Sequence, residues 1–125
     1  MNQNVVGWFE IPVIDMDRAI KFYESVFEIK LDRHVFGPLE MAWFPNVENG
    51  SGTSGSLVLN KAYTPSDKGV LIYFTARAGV AEELARAEKV GGKILLTKTP
   101  VSENFGYMGL LIDSEGNRIA LHSMV

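Results

Sequence analysis

Glu10 is the residue of this sequence best placed to do chemistry. It stands inside the apolar run Trp8-Phe9-Glu10-Ile11-Pro12-Val13, where a carboxylate is costly unless paired or wetted. Strand side chains alternate, so Phe9, Ile11 and Val13 take one face and Trp8, Glu10 and Pro12 the other. The first set suits packing against a helix, which turns Trp8 and Glu10 toward a cleft. Burial beside Trp8 would suit Glu10 to act as a general base or as a hydrogen-bond acceptor for a ligand. A salt bridge to Arg33, Arg118 or a lysine, or exposure at a rim, would make it structural. Tyr73 holds the equivalent place in a second apolar run, Val70-Leu71-Ile72-Tyr73-Phe74-Thr75, where its hydroxyl could orient a polar ligand group. His122 shares a strand face with Ala120 and is a candidate acid, or else an exposed histidine. His34 falls on either face. Trp43, Met41, Tyr107 and Phe105 complete a set of wall candidates that would serve a core equally well.

Positioning these residues requires a pattern that the chain writes twice. The first apolar run leads into a helix in which Met16, Ala19, Ile20, Tyr23, Val26 and Phe27 form one stripe, with Asp15 as its cap and Lys21, Glu24 and Ser25 on the wet side. The second run leads into a helix over about 80–90. Val80, Leu84 and Ala87 make its stripe, Glu82, Glu83, Arg86 and Lys89 face water, and Gly91-Gly92 ends it. Strands are expected at 30–36 and 39–44 around a Gly37-Pro38 turn, then at 55–60, 93–97, 107–112 and 117–123. The Asn-, Gly- and Ser-rich stretch 45–54 reads as a loop, and 113–117 as a turn. The expectation is one domain of two strand–helix–strand–strand–strand modules, 1–61 and 69–125, joined by a connector at 62–68. Two sheets curled around one cleft would hold a small molecule.

Composition removes other classes. A net charge of −3 offers no basic surface for a nucleic-acid backbone or an anionic membrane. The absence of cysteine excludes disulfides, thiolate metal ligation and cysteine nucleophiles. The opening residues show no leader pattern and no segment has the length of a membrane span, so the expected location is cytoplasmic. The loop 49–55 lacks the phosphate-loop lysine and spacing. No nucleophile elbow and no dinucleotide fingerprint occurs.

Three segments together carry a family resemblance. Pro12-Val13-Ile14-Asp15-Met16-Asp17-Arg18-Ala19-Ile20-Lys21-Phe22-Tyr23 resembles the first strand–helix of the vicinal oxygen chelate superfamily, the group of glyoxalase I, bleomycin-resistance proteins and extradiol dioxygenases. Ala87 to Lys93 resembles the end of that family's second helix. Ile112-Asp113-Ser114-Glu115-Gly116-Asn117-Arg118-Ile119-Ala120-Leu121 resembles its last hairpin. The resemblance implies an α+β fold, two βαβββ modules forming a half-open barrel around a cleft. Active members hold a divalent metal there as a Lewis acid, on ligands from the first and last strands of each module. Carried onto this sequence, those positions are Trp8, Ala120 and, near them by repeat symmetry, Val58 and Leu71. None supplies an oxygen or nitrogen donor of the kind such metals need. A rearranged site using Glu10 and His122 would have two ligands.

The expected function is therefore binding of a small organic ligand in a cleft built from Trp8, Glu10, Trp43, Val58, Leu71, Tyr73, Ala120 and His122, with no cofactor. The alternative is a lyase or isomerase. It would depend on Zn, Ni, Mn or Fe through a rearranged site, or use Glu10 as base with Tyr73 or His122 as acid. A homodimer is expected from the family.

Overall fold

The computed structural model describes residues 3–125; Met1 and Asn2, at the start of the expected first module, lie outside the described residues. The chain runs β1 (Phe9–Pro12), α1 (Met16–Phe27), β2 (Asp32–Phe36), β3 (Leu39–Trp43) and β4 (Gly55–Leu59). It then repeats the order with β5 (Tyr73–Thr75), α2 (Val80–Lys89), β6 (Lys93–Ser102), β7 (Gly106–Ile112) and β8 (Arg118–Ser123). Each set forms its own four-stranded sheet, β1-β4-β3-β2 and β5-β8-β7-β6. The first and last strands of each set pair in parallel, β1 with β4 and β5 with β8. A parallel pair needs a crossover, and the helices supply it. The two sheets do not close on one another, so the architecture is the expected α+β pair of βαβββ modules in a half-open barrel.

Both helices form where their apolar spacing places them. Asp15 caps α1 by accepting from Arg18 N at 3.0 Å, and Glu28 ends it in a left-handed conformation, φ 54°. The expected α1 stripe is buried or half-buried, and Phe22 joins it, which widens the helix's apolar face beyond the sequence reading. Ile11 and Val13 point at the same core, as alternation requires. One aromatic residue joins the modules. The ring of Phe74, from β5, lies 4.8 Å from Phe27, 5.7 Å from Tyr23 and Phe44, and 5.9 Å from Phe9. Gly109 of β7 lets α2 close in, because a Cβ there would come within 2.9 Å of Leu84 and Val80 side-chain carbons.

Four sequence expectations are corrected. Glu83 does not face water; it is 1% exposed and accepts from Ala78 N at 3.1 Å, just ahead of the helix it belongs to. Burial raises its carboxyl above the ordinary value. β6 runs on to Ser102, five residues past its expected end. It lies at the sheet edge with irregular pairing around Leu96 to Pro100, the setting in which a strand tolerates proline. β5 is shorter than expected: it begins at Tyr73, and Val70 ahead of it is 90% exposed. Tyr107, taken as a wall candidate, packs on the core side, in step with Gly109 and Leu111.

Candidate functional site

Cross-strand partners share a face, so the registers lay out the open side of each sheet as rows. In the first sheet Glu10, Ser56, Trp43 and Asp32 form one row, and Pro12, Val58, Met41 and His34 the next. In the second sheet Tyr73, Ala120, Leu110 and Leu96 form one row, and Thr75, His122, Met108 and Thr99 the next. The pleat thus brings Trp8, Glu10, Trp43 and Val58 to one open face, and Tyr73, Ala120 and His122 to the other. Leu71 is half-buried and precedes β5.

The first face is an aromatic wall. Trp8 meets Trp43 edge-on at 5.9 Å, the His34 ring lies 3.9 Å from Trp43, and Phe36 lies 6.2 Å away, near-parallel. Trp8 is 43% and Phe36 53% exposed, so the wall faces outward. His34, which alternation left on either side, belongs to it. Behind the rings lie two polar atoms without partners among the described residues, Trp43 Nε1 and Ser56 Oγ. They occupy directly opposed positions on β3 and β4. Each costs about 1–3 kcal/mol while unsatisfied. Ser56 was missed in the sequence; a serine in an apolar strand gave the one available signal.

Glu10 is exposed and lacks the burial that a base role would need. Neither expected arginine pairs with it. Arg33 lies on the helix side, bonded to Asp17 at 2.7 Å and Glu40 at 2.6 Å. The neighbour of Glu10 is instead Tyr63, whose hydroxyl is raised above its ordinary value first by hydrogen bonding to that carboxylate. The Tyr73 hydroxyl is 4.0 Å from Met108 Sδ. His122 Nε2 is 2.7 Å from Phe105 O. Tyr73 and His122 sit in adjacent rows, and neither has a carboxylate partner among the described residues.

The registers also refine the metal-equivalent positions. Glu10 is opposite Ser56, and its repeat counterpart Tyr73 is opposite Ala120. Repeat equivalence therefore pairs Ala120 with Ser56, two residues before Val58. The four positions become Trp8, Ser56, Leu71 and Ala120, with one hydroxyl among them. No three His, Asp or Glu side chains converge among the described residues. This donor set does not fit a divalent ion, which wants several carboxylate or imidazole ligands.

A buried polar clamp ties the last hairpin to the first helix. Glu115 accepts from Ile14 N and Asp15 N at 2.8 Å each and from Arg18 Nε at 2.8 Å. Burial alone would raise its carboxyl; the Arg18 guanidinium, the two backbone N–H groups and the Ser114 hydroxyl outweigh it and hold it at about 2. Tyr23 donates to Asp113 at 2.5 Å. Its hydroxyl is pushed well up by burial and then by the Asp113 charge. Asn117 donates to Pro12 O at 2.8 Å and to Asp113 at 3.1 Å. The 113–117 turn is thus a structural joint, which explains why its residue types are so specific.

Residues 5–121 match the profile of the Glyoxalase/Bleomycin resistance protein/Dioxygenase superfamily, and the chain belongs to that family. Comparison with curated protein sequences finds no match. Among solved structures, a glyoxalase I mutant from Zea mays superposes with a TM-score of 0.70 at 22% identity, covering 93% of this chain and 45% of the maize chain. This chain therefore spans less than half of the maize enzyme. A hypothetical protein from S. aureus gives a TM-score of 0.70 at 19% identity over 97% of this chain and 95% of that one. A glyoxalase-related enzyme from Fulvimarina pelagi gives 0.71 at 14% identity, with 98% and 88% covered. At such identities the likeness is one of fold. No described helix is long and apolar enough to cross a membrane.

Proposed function

We propose that this chain binds a small aromatic or apolar organic molecule on the open face of its half-barrel, without the divalent metal of its active relatives. The observation that carries the reading is the outward-facing wall of Trp8, His34, Phe36 and Trp43, with ring centroids 3.9–6.2 Å apart. Offset and edge-on rings offer stacking surface for a flat apolar ligand. The residues at the four metal-equivalent positions support the metal-free part. The lyase or isomerase alternative draws no support from Glu10, which is exposed, or from His122, which is engaged by a backbone carbonyl. We infer a homodimer as well, because Leu95, Val101 and Phe105, at the β6 edge of the second sheet and away from the wall, are exposed and a second copy would cover them.

A fluorescence titration against a panel of aromatic small molecules tests the wall directly. Binding should quench tryptophan emission, and Trp43→Ala should weaken it by about 2 kcal/mol, roughly 30-fold, with Trp8 still reporting. Equal affinity in a folded Trp43→Ala variant would sink the reading. The metal part has its own test. Trp8→His with Ala120→Glu should raise affinity for zinc, nickel or manganese over that of the unmodified protein, read by metal titration. Stoichiometric metal on the unmodified protein would overturn the metal-free assignment.

A further inference from the structure

A recess opens where β1, the start of β8 and the connector meet. It holds about 190 Å³ and is lined by Glu10 and Pro12 of β1, Arg118 of β8, Thr64 and Ser66 of the connector, and Gly69 just after it. Hydrogen bonds frame it. Arg118 N donates to Ser66 O at 3.3 Å, Ser66 N to Asn117 Oδ1 at 3.1 Å, and Asn117 Nδ2 to Pro12 O at 2.8 Å. Its lining is therefore fixed before any ligand arrives, which lowers the ordering cost of binding.

Arg118 supplies the chemistry. Arg18 and Arg33 bond carboxylates, and Arg77 and Arg86 bond the carbonyls of Phe27 and Val26. The Arg118 side chain has no partner among the described residues, and its Nε is buried. A guanidinium cannot shed its charge, and a buried donor calls for an acceptor. Its planar fork matches a carboxylate with two parallel hydrogen bonds. Glu10 brings the opposite charge to the same recess; the Tyr63 hydroxyl is its neighbour, and it forms no salt bridge among the described residues. A dianion such as phosphate would meet that carboxylate unfavourably, whereas an ammonium group would pair with it. A cavity of about 150 Å³ accommodates benzene, so the recess admits a compact ligand of similar size.

We propose that this recess binds a small aliphatic α-amino acid as its zwitterion, the carboxylate on Arg118 and the ammonium on Glu10. The site stands apart from the aromatic wall, since such a ligand carries no ring to stack there.

Amide-resolved NMR titration of the full chain with L-alanine, propionate, propylamine and inorganic phosphate tests it. Saturable shifts at the Ser66, Gly69 and Arg118 amides are expected with alanine, and at least tenfold weaker binding of the other three. Arg118→Met should weaken alanine at least tenfold. Glu10→Gln should bring alanine down to the level of propionate. Propionate or phosphate binding as tightly as alanine, or no saturable shift with alanine, would overturn the proposal. So would alanine binding unchanged in a folded Arg118→Met variant. The ligand comparison on the unmodified protein decides the matter even where a variant fails to fold.

Discussion

Glu115→Ala should destabilise this protein by about 3–5 kcal/mol, read as the shift in a urea denaturation midpoint. The Glu115 side chain is fully buried, while that of Arg18 is half exposed. On removal of the carboxylate, Arg18 can turn to water. The part-buried Ile14 and Asp15 N–H groups, at the entry to α1, lose their acceptor, at up to about 1–3 kcal/mol each, and removing a fully buried side chain leaves a cavity besides. The same carboxylate predicts an acid response. Its ordinary value is 4.5 and its folded value about 2. The folded value is depressed, so the contribution is complete above pH 4.5 and is lost as pH falls from 4.5 toward 2. Glu115→Gln should flatten that part of the stability–pH profile. A profile of Glu115→Gln that still falls as steeply as the unmodified protein's between those limits would mean that other carboxylates govern acid unfolding.

Phe74→Ala should cost about 3 kcal/mol, at the lower end for a core phenylalanine because Phe74 is only half-buried. Its four aromatic neighbours come from β1, α1 and the end of β3, so a single ring from the second module fills a gap among three elements of the first. The denaturant midpoint should fall while the slope of the transition stays the same, since the same surface is still exposed in one step. Both tryptophans lie in the first module, and far-UV circular dichroism follows both modules. Coincident curves from the two probes are expected; separated curves would show that the modules unfold independently.

Local rules reached the elements and the facing of most side chains, and they stopped at contacts between distant parts of the chain. β1 was legible because alternation separates Phe9, Ile11 and Val13 from Trp8, Glu10 and Pro12. α1 was legible because its stripe and its Asp15 cap agree. Glu83 was not, because its acceptor role depends on the chain doubling back so that Ala78 N points at it. The end of β6 was hidden because Lys98, Thr99 and Pro100, beyond the expected strand, carry no apolar alternation; only pairing with β7 makes them a strand. At the candidate site, Trp8 and Trp43 were legible from their type and place; Phe36 was not among the expected wall residues, and the face of His34 depends on register with β3. Ser56, Trp43 Nε1 and Arg118 were invisible as unsatisfied groups, because satisfaction is a property of neighbours in space. The 113–117 turn was read as a turn and a family mark, and its role in holding α1 emerges only when both ends of the chain are placed.

That joint spans 101 residues between Ile14 and Glu115, and this has a bearing on synthesis. During translation at about 5–20 residues per second, α1 leaves the ribosome roughly 5–20 s before its anchor is made. Over that interval its entry N–H groups can bond only to water, and the aromatic ring that seals its other flank, Phe74, is also absent for part of the time. The nascent first module therefore exposes Phe22, Tyr23 and Phe27 as a sticky surface until nearly the whole chain has emerged. Such long-range closure is slow by nature, so the first module stays without its anchor until the last hairpin has been made.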